Sequence, residues 1–167
     1  MELSAAMQDA MNQQIQTELE SAYLYLSMAT FFSPKNLGGS AHWMRVQAQE
    51  EVTHAMKFID HVEDRGARVV LGPLAQPKLE FASALEAFEY AAAHEREVST
   101  KIQSLYDLAA KERDYASQGL LQWFITEQVE EERSASQIVE TLRMVGDSAP
   151  GLFMVDKELA KRGTEGA

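Results

Sequence analysis

Apolar side chains recur at alternating spacings of three and four through four long stretches of the chain, the period of a helix that buries one face. The inward stripe reads Ile15, Glu18, Ala22, Tyr25 and Ala29 in the first stretch and Met44, Gln47, Glu51, His54 and Phe58 in the second. It continues as Phe88, Ala91, Glu95, Val98, Ile102 and Leu105 in the third, then Leu121, Phe124, Gln128, Glu131, Ala135, Ile138 and Leu142 in the fourth. The first helix is predicted from about Ser4 to Phe32, because Pro34 disfavours helical geometry in the residue before it. Asn36-Leu37-Gly38-Gly39 is the expected turn, and the second helix starts after Ser40 and runs to about Arg65, where Gly66 offers the left-handed conformation that closes helices. The third runs from about Ser83 to Glu112 and the fourth from Tyr115 to Val145. Pro150-Gly151 sets off a short fifth helix from Leu152 to about Lys161, and residues 162 to 167 read as a frayed tail.

Connection lengths set the topology. Short turns after the first and third helices make antiparallel neighbours. Ala67 to Glu80 carries no helical period and holds Gly72-Pro73 and Gln76-Pro77, so it is a linker. Fully extended, its roughly 14 residues reach about 46 Å, which matches the roughly 45 Å length of a 30-residue helix. It can run the whole bundle length and return the chain in the same direction. The expected fold is an all-α four-helix bundle over about residues 4–145 with one long crossover and a short C-terminal fifth helix, the whole of 1–167 forming a single domain.

Composition narrows the chemistry. Of 167 residues, 46% are hydrophobic, enough to bury a real core, and the net charge of −11 has the wrong sign for binding a phosphate backbone, so no nucleic-acid partner is expected. With no cysteine, any metal must use oxygen and imidazole ligands. The start, MELSAAMQDAMNQQ, has neither the basic flank nor the apolar run of a secretory signal, and no apolar stretch is long enough to span a bilayer. No membrane association is expected, and the default location is the cytoplasm.

Every stripe carries an acid at its middle. Glu18, Glu51, Glu95 and Glu131 lie near the midpoints of helices of similar length, so in a bundle they arrive at one level, and His54 joins Glu51 at the three-residue spacing of helix-surface neighbours. Most helical glutamates are solvated, and one such acid would mean little. Four on the inward stripes of four helices would repel and lose hydration at a cost of several kcal/mol each unless cations balance them. Two divalent cations would do so.

The segments Gln49-Glu50-Glu51-Val52-Thr53-His54, Ala93-His94-Glu95-Arg96-Glu97 and residues 122 to 132 (QWFITEQVEEE) resemble the prokaryotic non-haem ferritins, with Gly151-Leu152-Phe153 opening the fifth helix. The resemblance spans nearly the whole chain. It implies that Glu18, Glu51 and His54 hold one iron and Glu51, Glu95 and Glu131 the other, with Glu51 as the bridge and Gln128 as a polar ligand or hydrogen-bonding partner. Glu50, Glu127 and Glu130 match the acids of a third iron site in several bacterial ferritins, although outward-facing solvated acids would have the same pattern. Tyr25 is expected beside the metals, whereas Trp123 is expected to pack. His42, His61 and His94 lack partners at ligand spacing and are read as solvated or satisfied.

The function this implies is a ferroxidase and iron store that oxidises Fe(II) with O2 or H2O2 and deposits mineral in a homo-oligomeric shell of 24 subunits. One imidazole among hard oxygen donors would not lock iron in place. Gln128-x-x-Glu131 stands where bacterioferritins and rubrerythrin-like oxidases repeat Glu-x-x-His, which leaves a haem-free bacterioferritin or a di-iron oxidase of another substrate as the alternative. Bacterioferritins bind haem with a methionine directly after the second-helix glutamate. Here that residue is Val52, so no haem is expected, and Met44 and Met56 are read as core fillers. The DNA-protecting mini-ferritins build their iron site between subunits, unlike the complete intra-bundle set here.

Overall fold

The computed structural model describes residues 2–163. Its order is α1 (Ala5–Phe32), a 3-10 turn (Ser33–Lys35), α2 (Gly38–Asp64), α3 (Ala84–Glu112), α4 (Tyr115–Val145) and α5 (Ala149–Leu159). No strand occurs among the described residues, and no helix among them is long and apolar enough to cross a membrane.

The helix starts are set by side-chain caps that satisfy orphan backbone donors. Ser4 accepts from the Met7 amide at 3.0 Å, Ser83 from Glu86 at 3.0 Å and Asp114 from Ser117 at 3.2 Å. Side-chain contacts between the helix ends fix the directions. Ser4 reaches Glu112 while Phe32 meets Phe88, so α1 and α3 are antiparallel. Arg65 pairs with Asp114 at 3.0 Å, joining the end of α2 to the start of α4, and Trp43 packs on Phe88 near the starts of α2 and α3, which run parallel. That is the one-crossover bundle the linker length predicts. The linker is stitched along α1: the Arg68 and Pro73 carbonyls accept from Gln8 and Gln16 at 3.0 Å each, and the Lys78 carbonyl accepts from Ser27 at 3.0 Å.

Three boundaries differ from expectation. α2 begins at Gly38, inside the expected turn, because a distant side chain caps it: Asp156 of α5 accepts from the Gly39 and Ser40 amides at 2.9 and 2.7 Å and from the Ser40 hydroxyl at 2.8 Å. Only glycine fits at 39, since a Cβ there would stand 1.7 Å from the Asp156 carbonyl oxygen. α5 begins at Ala149 and ends at Leu159. Pro150 sits in its first turn, where a missing N–H needs no partner, and Ser148 caps it through the Gly151 amide. Near the end of α4 the buried position is Val139, with Ile138 only partly covered, because the 3.6-residue period drifts off a fixed three-four count.

The apolar core is split in two. One cluster joins the second half of α1, the first half of α2, the start of α3, the end of α4 and Val155 and Leu159 of α5. The other joins the first half of α1, the end of α2, the second half of α3 and the start of α4, around Met11, Phe58, Ile102 and Phe124. Met44 is core, as expected, but Met56 is exposed. Between the clusters lies a polar layer.

Candidate metal centre

Because both apolar clusters clamp the same four helices, the residues at mid-helix have no freedom to turn outward. Glu18, Glu51, Glu95 and Glu131 are all buried there, together with His54, Gln47 and Gln128. Ligand atoms of Glu18, Glu51 and His54 lie within 4.8 Å of one another, a spacing that can hold one metal ion. A second such group is His54, Glu127 and Glu131. Glu95 instead turns to Tyr25, whose hydroxyl donates to its Oε1, and to Gln128, whose amide donates to its Oε2 at 3.2 Å and to its carbonyl at 3.2 Å. Of the two readings open for Gln128, the hydrogen-bonding partner is the arrangement found.

Burial alone would push every one of these carboxyls toward the neutral acid, and the site partly yields to it. Burial, reinforced by the Glu51 charge, raises Glu18 well above the usual carboxylate range. Burial and Glu51 push Glu95 up to about 8, and burial with Glu95 and Glu51 does the same to Glu131, also about 8. Glu51 escapes: burial pushes it up, but the hydrogen bond and charge of His54, whose Nδ1 lies 3.4 Å away, outweigh that and hold it below its ordinary value. His54 is raised in turn, the Glu51 contacts overcoming its burial. The layer is therefore a mutually stabilised Glu51–His54 pair surrounded by acids that burial pushes toward their protonated forms, and a cation entering it can exchange for protons there.

Two glutamines to which the stripe reading gave no role hold this layer, Gln47 on its stripe and Gln14 one position off its own. Gln47 donates to Glu51 at 2.8 Å and to Glu131 at 3.0 Å, tying α2 to α4, and Gln14 donates to Glu18 at 2.7 Å. Each sits four residues before its glutamate, so the repeated Gln-x-x-x-Glu spacing was the available signal. The Gln47 carbonyl oxygen is buried without a hydrogen-bond partner. An unsatisfied acceptor beside the acids is a place for a bound water or a metal-bound hydroxyl.

From His54 a cavity of about 680 Å³ opens outward past Glu131 and Glu127 to Glu50 and Glu130. The three outer acids thus share one space with the centre. Glu130 is exposed and pairs with Arg133 at 3.5 Å, Glu127 is half-buried, and Glu50 pairs with Arg162. Arg162 is no frayed end: it packs its guanidinium 4.2 Å over Trp43 and its carbonyl accepts from His42 at 2.8 Å. Residues 164–167 of the expected tail lie outside the described residues. Trp123 packs edge-on against His54, with ring centres 5.6 Å apart. His42, His61 and His94 are satisfied, the last two by Ser117 at 3.0 Å and Ser21 at 2.7 Å.

Comparison with known proteins places the chain among related sequences and folds. Residues 8–145 match the family of ferritin-like domains. The chain is similar to bacterial non-heme ferritins of Bacteroides fragilis, 39% identical over 96% of this chain and 99% of that one, and of Staphylococcus saprophyticus, 38% identical over 96% of each. Among solved structures it superposes on an open-pore ferritin from the hyperthermophilic archaeon Archaeoglobus fulgidus with a TM-score of 0.95 at 48% identity, covering 96% of this chain and 99% of the other.

Proposed function

The chain belongs to the ferritin family, and from that premise we propose that it stores iron by way of a ferroxidase step at the mid-bundle layer. The observation that carries this reading is the buried convergence of Glu18, Glu51 and His54, with Glu95 and Glu131 in the same layer. Fe(II) is the substrate. Glu18, Glu51 and His54 bind one ion; Glu51, Glu95 and Glu131 bind the second, with Glu51 common to both. Two divalent ions offset four carboxylates, and the protons held by Glu18, Glu95 and Glu131 leave as they bind. Each Fe(II) gives up one electron, so the pair delivers two together to O2 or H2O2, and Tyr25, hydrogen-bonded to Glu95, stands next in line as a further donor.

The ferric product moves outward through the cavity. Glu50, Glu127 and Glu130 receive it at a third site and pass it to mineral inside a homo-oligomeric shell of 24 subunits. Gln128 supports turnover over permanent metal binding, because its amide is committed to Glu95 and Ser99, leaving His54 as the imidazole of the layer. Crystals soaked anaerobically in Fe(II) and measured at the iron absorption edge test the reading. Two anomalous peaks flanking Glu51 are expected; a layer empty of metal at saturating Fe(II) overturns it.

A further inference from the structure

The acidic cavity outside the di-iron layer contains a cation of the protein's own. Arg162, just beyond α5, folds back onto three positions of α2: its carbonyl accepts from His42, its guanidinium lies over Trp43, and its Nη2 pairs with Glu50. Trp43, Glu50, Glu127, Glu130 and Arg162 line the same space. The side chains of Arg162 and Glu50 are only 21% and 20% exposed, so water screens this pair less than it screens Arg133 with Glu130, whose side chains are 60% and 61% exposed.

We propose that Arg162 is a tethered counter-ion that sets the affinity of the cavity mouth for metal, holding Glu50 until a hard multivalent cation displaces it. This rests on the reading of Glu50, Glu127 and Glu130 as a third metal site. A cation that takes the Glu50 Oε2 held by Arg162 must displace the guanidinium from it, and the segment after α5 then loses one of its three contacts with α2. By linkage the effect is reciprocal: whatever factor Arg162 removes from metal affinity, metal binding removes from the docking of Arg162. The retained contacts of a partly buried ion pair and a cation over an indole face put that factor at about tenfold. Ferric ion arriving from the di-iron layer would therefore both occupy the mouth and release Arg162 from Glu50, and an empty mouth keeps that pair.

Terbium(III), a hard trivalent cation whose emission is sensitised by nearby tryptophan, reads this directly in the assembled full-length protein, since Trp43 and Trp123 both line the cavity. The mouth signal is the part of the luminescence that Glu50→Gln abolishes. Arg162→Gln is expected to tighten that component about tenfold and Arg162→Lys to restore weaker binding in part. Arg162→Gln in the Glu50→Gln background is expected to change nothing further. A second readout is Trp43 emission in a Trp123→Phe background: optically silent lanthanum(III) should shift it, and should not once Arg162 is Gln. If Arg162→Gln leaves the Glu50-dependent affinity unchanged, the latch is wrong while the third site stands. If no Glu50-dependent signal exists in either protein, the third site fails and the latch with it.

Discussion

The two apolar clusters and the polar layer between them are built on the same four helices with the same three-and-four spacing, yet they are stabilised by opposite means. At the ends, side chains such as Phe58 and Phe124, stacked with ring centres 4.2 Å apart, gain from leaving water, and their requirement is volume. In the middle, Glu18, Glu95 and Glu131 are driven to hold protons, so burial is a cost there, offset by hydrogen bonds from Gln14, Gln47, Gln128 and Tyr25. The ends supply folding energy; the layer consumes some of it to keep acids out of bulk water. Substitutions in the two regions should therefore split stability from iron chemistry.

The largest expected effect is on chemistry. Glu51→Ala removes the carboxylate proposed to be shared by both irons and should slow rapid Fe(II) oxidation more than a hundredfold, beyond what loss of a hydrogen-bonding neighbour of a ligand costs. It should also slow it more than Glu18→Ala or Glu131→Ala. Stopped-flow absorbance under oxygen ranks them, and wild-type rates in the Glu51 variant would sink the bridge assignment. Phe58→Ala is the converse. It should cost about 3–5 kcal/mol of stability by opening a cavity in the end cluster, while anaerobic titration still finds two Fe(II) per subunit. Loss of both stability and binding in this variant would mean that the two regions are not separable.

The middle layer was the more legible of the two in sequence because it breaks the pattern. An acid on an apolar stripe is conspicuous, and Glu18, Glu51, Glu95, Glu131 and His54 all lie buried at one level as their positions predict. Gln47 breaks its stripe more quietly, since a neutral amide costs less to bury and so draws less notice, and Gln14 lies one position off the first stripe. What the sequence hid was long-range. The cap of α2 comes from Asp156, 117 positions beyond Gly39, so local turn chemistry pointed to a later start. Arg162 looked like part of a polar tail because its partners, His42, Trp43 and Glu50, lie on α2, more than a hundred residues earlier.

The next prediction sharpens the contrast through pH. Glu95 and Glu131, each raised to about 8, keep protons in the fold that an unfolded chain with a glutamate value of about 4.3 has already lost. Their contribution is fully present below about pH 4.3 and is lost as pH rises through about 8, so the metal-free protein should weaken as pH rises. His54, also raised, acts in the same direction, while His61 and His94, lowered by burial, act oppositely below about pH 6.5. The clean window is therefore above pH 6.5. Between there and pH 8 the metal-free protein should lose roughly 2–4 kcal/mol, and redox-inert Zn(II) should restore more at pH 8 than at pH 6.5 because fewer protons remain to be displaced. Denaturant melts at both pH values check it. A metal-free stability that rises across the window would contradict the protonated layer.

The smallest effect separates the two faces of α5 at the border of one end cluster. Val155 and Leu159 are buried in that cluster and Asp156 caps α2, whereas Phe153 and Met154 are 60% and 72% exposed. The apolar residues of this helix thus divide between a face in its own core and a face in solvent. Asp156→Ala removes three hydrogen bonds at the positive end of the α2 dipole and takes that partner from Gly39 and Ser40, both buried, so the cost should be about 2 kcal/mol, or a melting shift of several degrees. Shell mass and oxidation rate should hold. Phe153→Ser with Met154→Ser should do the reverse, leaving the melt in place while light scattering reports a weaker shell, because apolar surface left in water within a folded subunit is where a neighbouring copy gains by binding. If the double serine variant assembles to unchanged mass, α5 is a cap for its own bundle alone.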